Sequence, residues 1–84
     1  MPAERPGPLY LTLDQGGHAS RALVFDAQGA AQARSLREVQ VHHPQADWVE
    51  QDPEELVASL LEAAREVLHE LGRRRAQIVS AGLA

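Results

Sequence analysis

The first part of the chain alternates apolar and polar positions with the period of a β-strand. Three leucines recur at every second position and share one face of a predicted first strand: Leu9, Leu11 and Leu13. A second apolar run at residues 22–25 predicts a strand that pairs back on the first. Asp14 and the glycine pair at 16 and 17 lie between them, and glycine favours a tight connection.

The next segment predicts a turn and a third strand. Residues 26–29 read Asp-Ala-Gln-Gly, a hairpin turn in which Gly29 is available for positive φ. A longer strand then runs from Ala30 to Val41 with one polar face, which is typical of an edge or half-exposed strand. The first three strands should therefore form an antiparallel meander.

The strongest helix signal begins at Asp52. Asp52 is a good N-cap, Pro53 fits the first helical position, and Glu55 completes a capping box. Gly72 is expected to end the helix. Eight residues recur at helical spacing and predict one buried face: Leu56, Val57, Leu60, Leu61, Ala64, Val67, Leu68 and Leu71.

The remaining segments complete a mixed α/β arrangement. Residues 77–84 predict a fourth strand, parallel to an earlier strand because it follows a helical crossover. Residues 42–51 are expected to form a loop in which Trp48 packs against the helix or sheet. Residues 1–8 contain three prolines and are expected to be a flexible leader outside the fold.

Composition narrows the possible partners. The 84 residues carry a formal net charge of −4, which argues against nucleic acid because such partners favour a basic surface. There is no cysteine, so disulfides and thiolate metal sites are excluded. No apolar run approaches the ~20 residues of a membrane span, and a cytoplasmic location is expected.

The residues from Asp14 to Arg21 are the best candidates for chemistry. A carboxylate at a strand end can hold a cation, while an arginine and exposed backbone N–H groups at glycines can hold phosphate oxygens. The segment therefore suits a metal-bound polyphosphate. The alternative is an ordinary hairpin turn with an incidental aspartate and arginine.

Other chemical candidates have simpler explanations. His42 and His43 are adjacent, so in an extended chain they point to opposite sides and do not form a metal site. Asp52 and Glu55 could act as an acid–base pair, but helix capping explains their spacing. Arg73–Arg75 could bind an anion, although solvation and the negative end of the helix dipole suffice.

Two segments resemble one family in its order and spacing. The strand order with Asp-x-Gly after the first strand resembles the start of a ribonuclease-H-like, actin-type ATPase domain. Residues 44–55, Pro-Gln-Ala-Asp-Trp-Val-Glu-Gln-Asp-Pro-Glu-Glu, resemble the FGGY carbohydrate kinases. Residues 14–26 are similar to the glycerol-kinase branch in particular. Residues 9–84 would then be a partial amino-terminal kinase domain with its first four strands and first helix.

The resemblance implies roles for individual residues. Asp14 would be associated with Mg²⁺ and the transferred phosphoryl group, and Arg21 with the phosphates of ATP. Gly16 and Gly17 would let the backbone approach phosphate, and Ser20 matches a hydroxyl position of the family. Kinases of this branch carry hydroxyl side chains where this chain has Gly17-His18-Ala19, and the His18 imidazole could replace them as a donor.

Two functions follow from these observations. The first is the amino-terminal part of an ATP-dependent sugar or polyol kinase, which supplies the phosphate-binding hairpin loop and no catalytic residue of its own. The second is a non-catalytic binding or scaffold remnant of such a kinase. A member of the same superfamily with different chemistry is a third possibility, but the segment around Trp48 argues against it. Because one helix covers only one face of a four-stranded sheet, the 84 residues alone are also expected to self-associate or to be marginally stable.

Overall fold

The protein forms a four-stranded mixed sheet with one long helix on one face. The computed structural model describes residues 7–39, 42–45, 48–50 and 52–83, the two short middle segments by their backbone alone. The elements in chain order are β1 (Leu9–Gln15), β2 (Ala19–Asp26), β3 (Ala31–Glu38), β4 (His42–Gln45), β5 (Trp48–Glu50), α1 (Pro53–Leu71), a 3-10 helix (Gly72–Gln77) and β6 (Ile78–Leu83).

The sheet order is β3-β2-β1-β6, which confirms the predicted meander and parallel last strand. β1 pairs antiparallel with β2, β2 pairs antiparallel with β3, and β6 runs parallel to β1. The turn between β2 and β3 is also as predicted. Gly29 adopts a φ of 83°, and the Asp26 carboxylate accepts hydrogen bonds from the backbone N–H groups of Gln28 and Ala30, both at 2.9 Å.

Two predictions about the middle of the chain need correction. β3 ends at Glu38, whereas the sequence predicts a strand to Val41, and residues 40 and 41 lie outside the described residues. The predicted loop at residues 42–51 contains the two short strands β4 and β5, which pair antiparallel. Pro44 suggests a loop because proline lacks a backbone donor, but a two-stranded ribbon has free edges that tolerate it.

The ends of α1 agree with the sequence. The Asp52 carboxylate accepts a hydrogen bond from the Glu54 N–H at 3.0 Å, and Pro53 opens the helix. Gly72 ends it at a φ of 61°, and its N–H donates to the carbonyls of Leu68 and His69. None of the helices in the described part of the chain is long and apolar enough to cross a membrane.

The buried face of α1 is narrower than its apolar face. Its buried residues are Ser59, Ala63, Val67 and Leu71, while Val57 and Leu61 are about half exposed, contrary to the prediction. α1 lies mainly over β2 and β3, so only one stripe of the helix reaches the sheet. The core beneath the helix contains Leu9, Ala22, Val24 and Ala33.

Hydrogen bonds connect the crossover from α1 to β6 with the end of β2 and the start of β3. The Arg74 guanidinium donates to the side-chain oxygen of Gln32 at 3.1 Å, and the Gln32 amide donates to the Asp26 carboxylate at 3.0 Å. Arg74 is therefore a structural contact, whereas the sequence suggests only solvation and dipole complementarity. β6 beyond it is largely exposed, including Val79 and Leu83.

Candidate functional site

Asp14 and Arg21 face each other across the β1–β2 hairpin. They are direct cross-strand partners, and such partners project from the same face of a sheet. Both side chains are exposed on the face opposite α1. Among the described residues neither takes part in an ion pair or side-chain hydrogen bond. The hairpin thus presents a carboxylate and a guanidinium side by side, each available to a ligand.

Backbone hydrogen bonds at Gly16 and His18 help to hold the hairpin loop. The Gly16 N–H donates to the Ala19 carbonyl at 2.9 Å, and the Val39 N–H donates to the His18 carbonyl at 2.8 Å. These bonds fix the loop against the end of β3. They also correct one expectation, because the Gly16 N–H already has a backbone acceptor and is not a phosphate donor in this conformation.

Neither loop glycine is needed for the turn. The positive-φ glycines among the described residues are Gly29 and Gly72, so Gly16 and Gly17 adopt backbone angles open to other residues. A Cβ added at Gly17 would meet nothing within 4 Å, and one at Gly16 would meet only the Ala19 carbonyl oxygen at 3.7 Å. What the glycines provide is open space rather than an unusual bend.

The loop and the two charged residues border one open cleft. Its volume is about 240 Å³, and its lining consists of Asp14, Gly16, Gly17, His18, Ala19 and Arg21. The cleft brings together four of the five predicted cofactor-binding residues, and His18 joins them. A carboxylate for a cation, a guanidinium for an anion and an imidazole therefore surround a space free of bulky side chains.

Ser20 does not belong to this cleft, which corrects the prediction from its sequence position. It is fully buried on the face toward α1, and its hydroxyl lies 2.6 Å from that of Ser59. The Ser59 hydroxyl donates to the Leu56 carbonyl at 2.7 Å. Since the single Ser59 proton is used there, Ser20 donates to Ser59 and has no proton left for a phosphate.

Sequence reasoning missed Ser59 and Gln15, the partners of Ser20. The Gln15 amide lies 3.5 Å from the Ser20 hydroxyl. One signal could have identified Ser59, since it is a polar residue in the middle of the apolar stretch of α1. Gln15 also offered a signal, because it continues the alternation of the β1 leucines and therefore falls on the same face of the strand.

The single carboxylate that lines the cleft among the described residues suits a metal ion already bound to nucleotide better than a metal site built from protein ligands alone. No group of three or more potential ligand side chains occurs among the described residues, and Asp14 is the one carboxylate lining the cleft. Mg²⁺ commonly keeps several waters and uses one or two carboxylates together with substrate phosphates. The side chains of His42, His43 and Trp48 lie outside the described part of the structure.

Solved structures identify the fold class. The fold is similar to that of the xyloylose kinase from Brucella ovis, with a TM-score of 0.84, 27% identity, and coverage of 89% of this chain and 16% of that chain. The Plasmodium falciparum glycerol kinase solved with ADP gives a TM-score of 0.74 at 17% identity, covering 89% and 14%, and this likeness concerns the fold alone. The predicted ribonuclease-H-like, actin-type ATPase fold of the sugar kinases is confirmed.

The sequence then fixes the family. Residues 9–84 match the family model described as the FGGY family of carbohydrate kinases, N-terminal domain, and the chain belongs to this family. It is 42% identical over 73 residues to a glycerol kinase of Bordetella pertussis, covering 87% of this chain and 14% of the relative. It is 40% identical over 76 residues to one of Rhodospirillum centenum, covering 90% and 15%. The chain therefore spans only 14–15% of the length of these relatives.

Proposed function

We propose that this chain is the phosphate-holding amino-terminal part of an ATP-dependent carbohydrate kinase. In the complete protein, the terminal phosphoryl group of ATP would be transferred to a hydroxyl oxygen of a sugar or polyol, releasing ADP and a proton. Glycerol is the first acceptor to test, because the relatives at 40–42% identity are glycerol kinases. The supporting observation is the pairing of Asp14 with Arg21 across the cleft.

The two charged residues have complementary roles in this proposal. Arg21 donates hydrogen bonds to phosphate oxygens, and a guanidinium can do so through two parallel N–H groups. Asp14 holds Mg²⁺ or its bound waters. The cation would neutralise phosphate charge, which is a main requirement of phosphoryl transfer. We assign no catalytic residue to these 84 residues, and the proposal places the kinase in the cytoplasm without nucleic-acid or membrane partners.

The non-catalytic alternative is favoured by one feature of the loop. The Gly16 N–H is used by the Ala19 carbonyl, and residues 17–19 carry no hydroxyl side chain. Phosphate binding then depends on Arg21, Asp14 and the imidazole of His18. A binding or scaffold remnant would retain the fold and the hairpin but would not hold Mg²⁺-bound nucleotide.

We further propose that the 84-residue chain self-associates through the edge of β6 that has no strand partner among the described residues. This strand has no charged residue and no proline, so it lacks the usual protection of an edge. The opposite edge strand, β3, carries Arg34, Arg37 and Glu38. Two copies of the neutral strand β6 could pair without repulsion, and pairing would also cover part of the exposed side chains of Val79 and Leu83.

Titration of a non-hydrolysable Mg²⁺·ATP analogue into isotopically labelled protein tests nucleotide binding. We expect amide shifts centred on residues 14–21, because these residues line the cleft or border it. Arg21→Ala should weaken binding about tenfold or more, since a hydrogen bond to a charged group contributes roughly 1.5–3 kcal/mol. Arg34→Ala is the matched control, because Arg34 is an exposed arginine on the same sheet face but outside the cleft.

Two results would overturn the proposal. The first is the absence of any shift at millimolar analogue, which would favour the non-catalytic alternative. The second is an equal loss of affinity in the two arginine variants, which would show that only net charge matters.

A further inference from the structure

A buried series of hydrogen bonds, here called the hydroxyl chain, runs beneath the β1–β2 hairpin and connects it to α1. The Gln15 amide approaches the Ser20 hydroxyl at 3.5 Å, and the Ser20 and Ser59 hydroxyls are 2.6 Å apart. The Ser59 hydroxyl donates to the Leu56 carbonyl at 2.7 Å. Because Ser59 gives its proton to that carbonyl and Gln15 can only donate through its amide nitrogen, the direction of donation is fixed from Gln15 through Ser20 and Ser59 to the helix backbone.

The position of the hydroxyl chain relative to the cleft is its most informative property. Gln15 follows Asp14 directly, Ser20 precedes Arg21 directly, and Gln15 and Ser20 are themselves cross-strand partners. Alternate residues of a strand point to opposite faces. The two strand ends therefore direct the charged pair toward the cleft and the neighbouring polar pair toward α1.

Burial makes the contact between the Ser20 and Ser59 hydroxyls difficult to replace. Ser20 is fully buried and Ser59 is 6% exposed, so water cannot easily replace either hydroxyl. A buried polar group without a partner is costly, and this penalty opposes any movement of the hairpin end away from the helix. The hairpin end is also the segment closed by the bond from the Gly16 N–H to the Ala19 carbonyl.

We propose that Ser20 and Ser59 are positioning residues for nucleotide phosphate, holding the Asp14–Arg21 pair in place from the opposite face of the sheet. This inference rests on the proposed function and names two residues that touch neither phosphate nor metal. Their effect on binding would come from the spacing and rigidity of the cleft alone.

A matched control exists in the same interface. Ser35 is also 6% exposed, and its hydroxyl donates to the Ala63 carbonyl of α1 at 2.6 Å. Ser35 lies opposite Ala22 rather than at the hairpin end. Ser35→Ala thus removes a short buried hydrogen bond to the same helix without touching the chain beneath the cleft.

The experiment compares Ser20→Ala, Ser59→Ala and Ser35→Ala by urea unfolding, amide hydrogen exchange and affinity for the Mg²⁺·ATP analogue. We expect the first two variants to weaken analogue binding about fivefold, the effect of one net hydrogen bond. We also expect faster exchange of the Gly16 amide relative to central amides of β2. Ser35→Ala should reduce stability while leaving both the affinity and the relative Gly16 exchange within twofold of the wild type.

The outcomes separate this inference from the proposed function. Equal losses of affinity in all three variants would overturn the inference, because a general loss of stability at the interface between α1 and the sheet would then explain the effect. Unchanged Gly16 exchange in Ser20→Ala would also overturn it, even if Ser59→Ala fails to fold. If the wild type binds no nucleotide, the proposed function fails, while the exchange measurement still decides whether the hydroxyl chain holds the hairpin.

Discussion

Replacement of Gly17 by alanine separates the requirements of the fold from those of the ligand. Gly17 lines the cleft, its φ lies outside the left-handed region, and an added Cβ meets nothing within 4 Å. The substitution therefore introduces no clash or backbone strain. It reduces the conformational freedom of the unfolded chain, which is typically worth about 0.4–1 kcal/mol of stability.

The expected changes in stability and binding have opposite signs. For a domain of this size the stabilisation corresponds to a rise in Tm of roughly 2–8 °C, measurable by circular dichroism. The same methyl group occupies open space at the edge of the cleft. If phosphate occupies this space, the methyl group displaces it from the Arg21 guanidinium, and loss of that charge-assisted contact of about 1.5–3 kcal/mol should weaken analogue binding about tenfold or more.

Gly29→Ala provides the matched comparison. Gly29 has a φ of 83° in the turn between β2 and β3, so alanine there should cost about 1–2 kcal/mol and lower the Tm without changing nucleotide affinity. A fall in the Tm of Gly17→Ala similar to that of Gly29→Ala would refute the expectation that Gly17 tolerates a side chain. Unchanged affinity in Gly17→Ala would show that phosphate does not approach this part of the loop.

Two further predictions concern the helix and the exposed strand. Asp52→Ala should destabilise the protein by about 0.5–2 kcal/mol in urea unfolding, because it removes the cap on the Glu54 N–H, whereas Asp52→Asn should retain most of the stability; equal losses would contradict the capping role. Val79→Lys should shift sedimentation toward monomer, because it places a charge on the β6 edge strand, while Val57→Lys on the exposed face of α1 should not. A wild-type chain that sediments as a monomer at all concentrations would remove the basis for the self-association proposal.

The fold was largely predictable because local signals agreed with each other. Alternating leucines marked β1, Gly29 marked the β2–β3 turn, and Asp52 with Gly72 marked the two ends of α1. The short strands β4 and β5 were not predictable, since Pro44 favours a loop and each strand is too short for a periodic signal. The exposure of Val57 and Leu61 depends on how α1 lies across β2 and β3, which no helical pattern specifies.

The candidate site was predictable only in part. Asp14 and Arg21 come together because strand pairing places them opposite each other, and the sequence suggested that hairpin. Ser20 illustrates the limit of carrying over family positions, because its strand face directs it away from the cleft. Its partner Ser59 lies 39 residues further along the chain, and only the packing of α1 on β2 reveals the contact.

The most direct test of the central claim is the effect of Mg²⁺ on ATP-analogue binding in the wild type and in Asp14→Asn. A carboxylate in the cleft repels metal-free polyphosphate but attracts the metal-bound form. We therefore predict that Asp14→Asn weakens binding of the Mg²⁺ complex about tenfold, equivalent to roughly 1.4 kcal/mol, and leaves binding of the metal-free analogue unchanged or stronger. Equal effects of the substitution with and without Mg²⁺ would contradict the claim that Asp14 holds the metal on a phosphate held by Arg21.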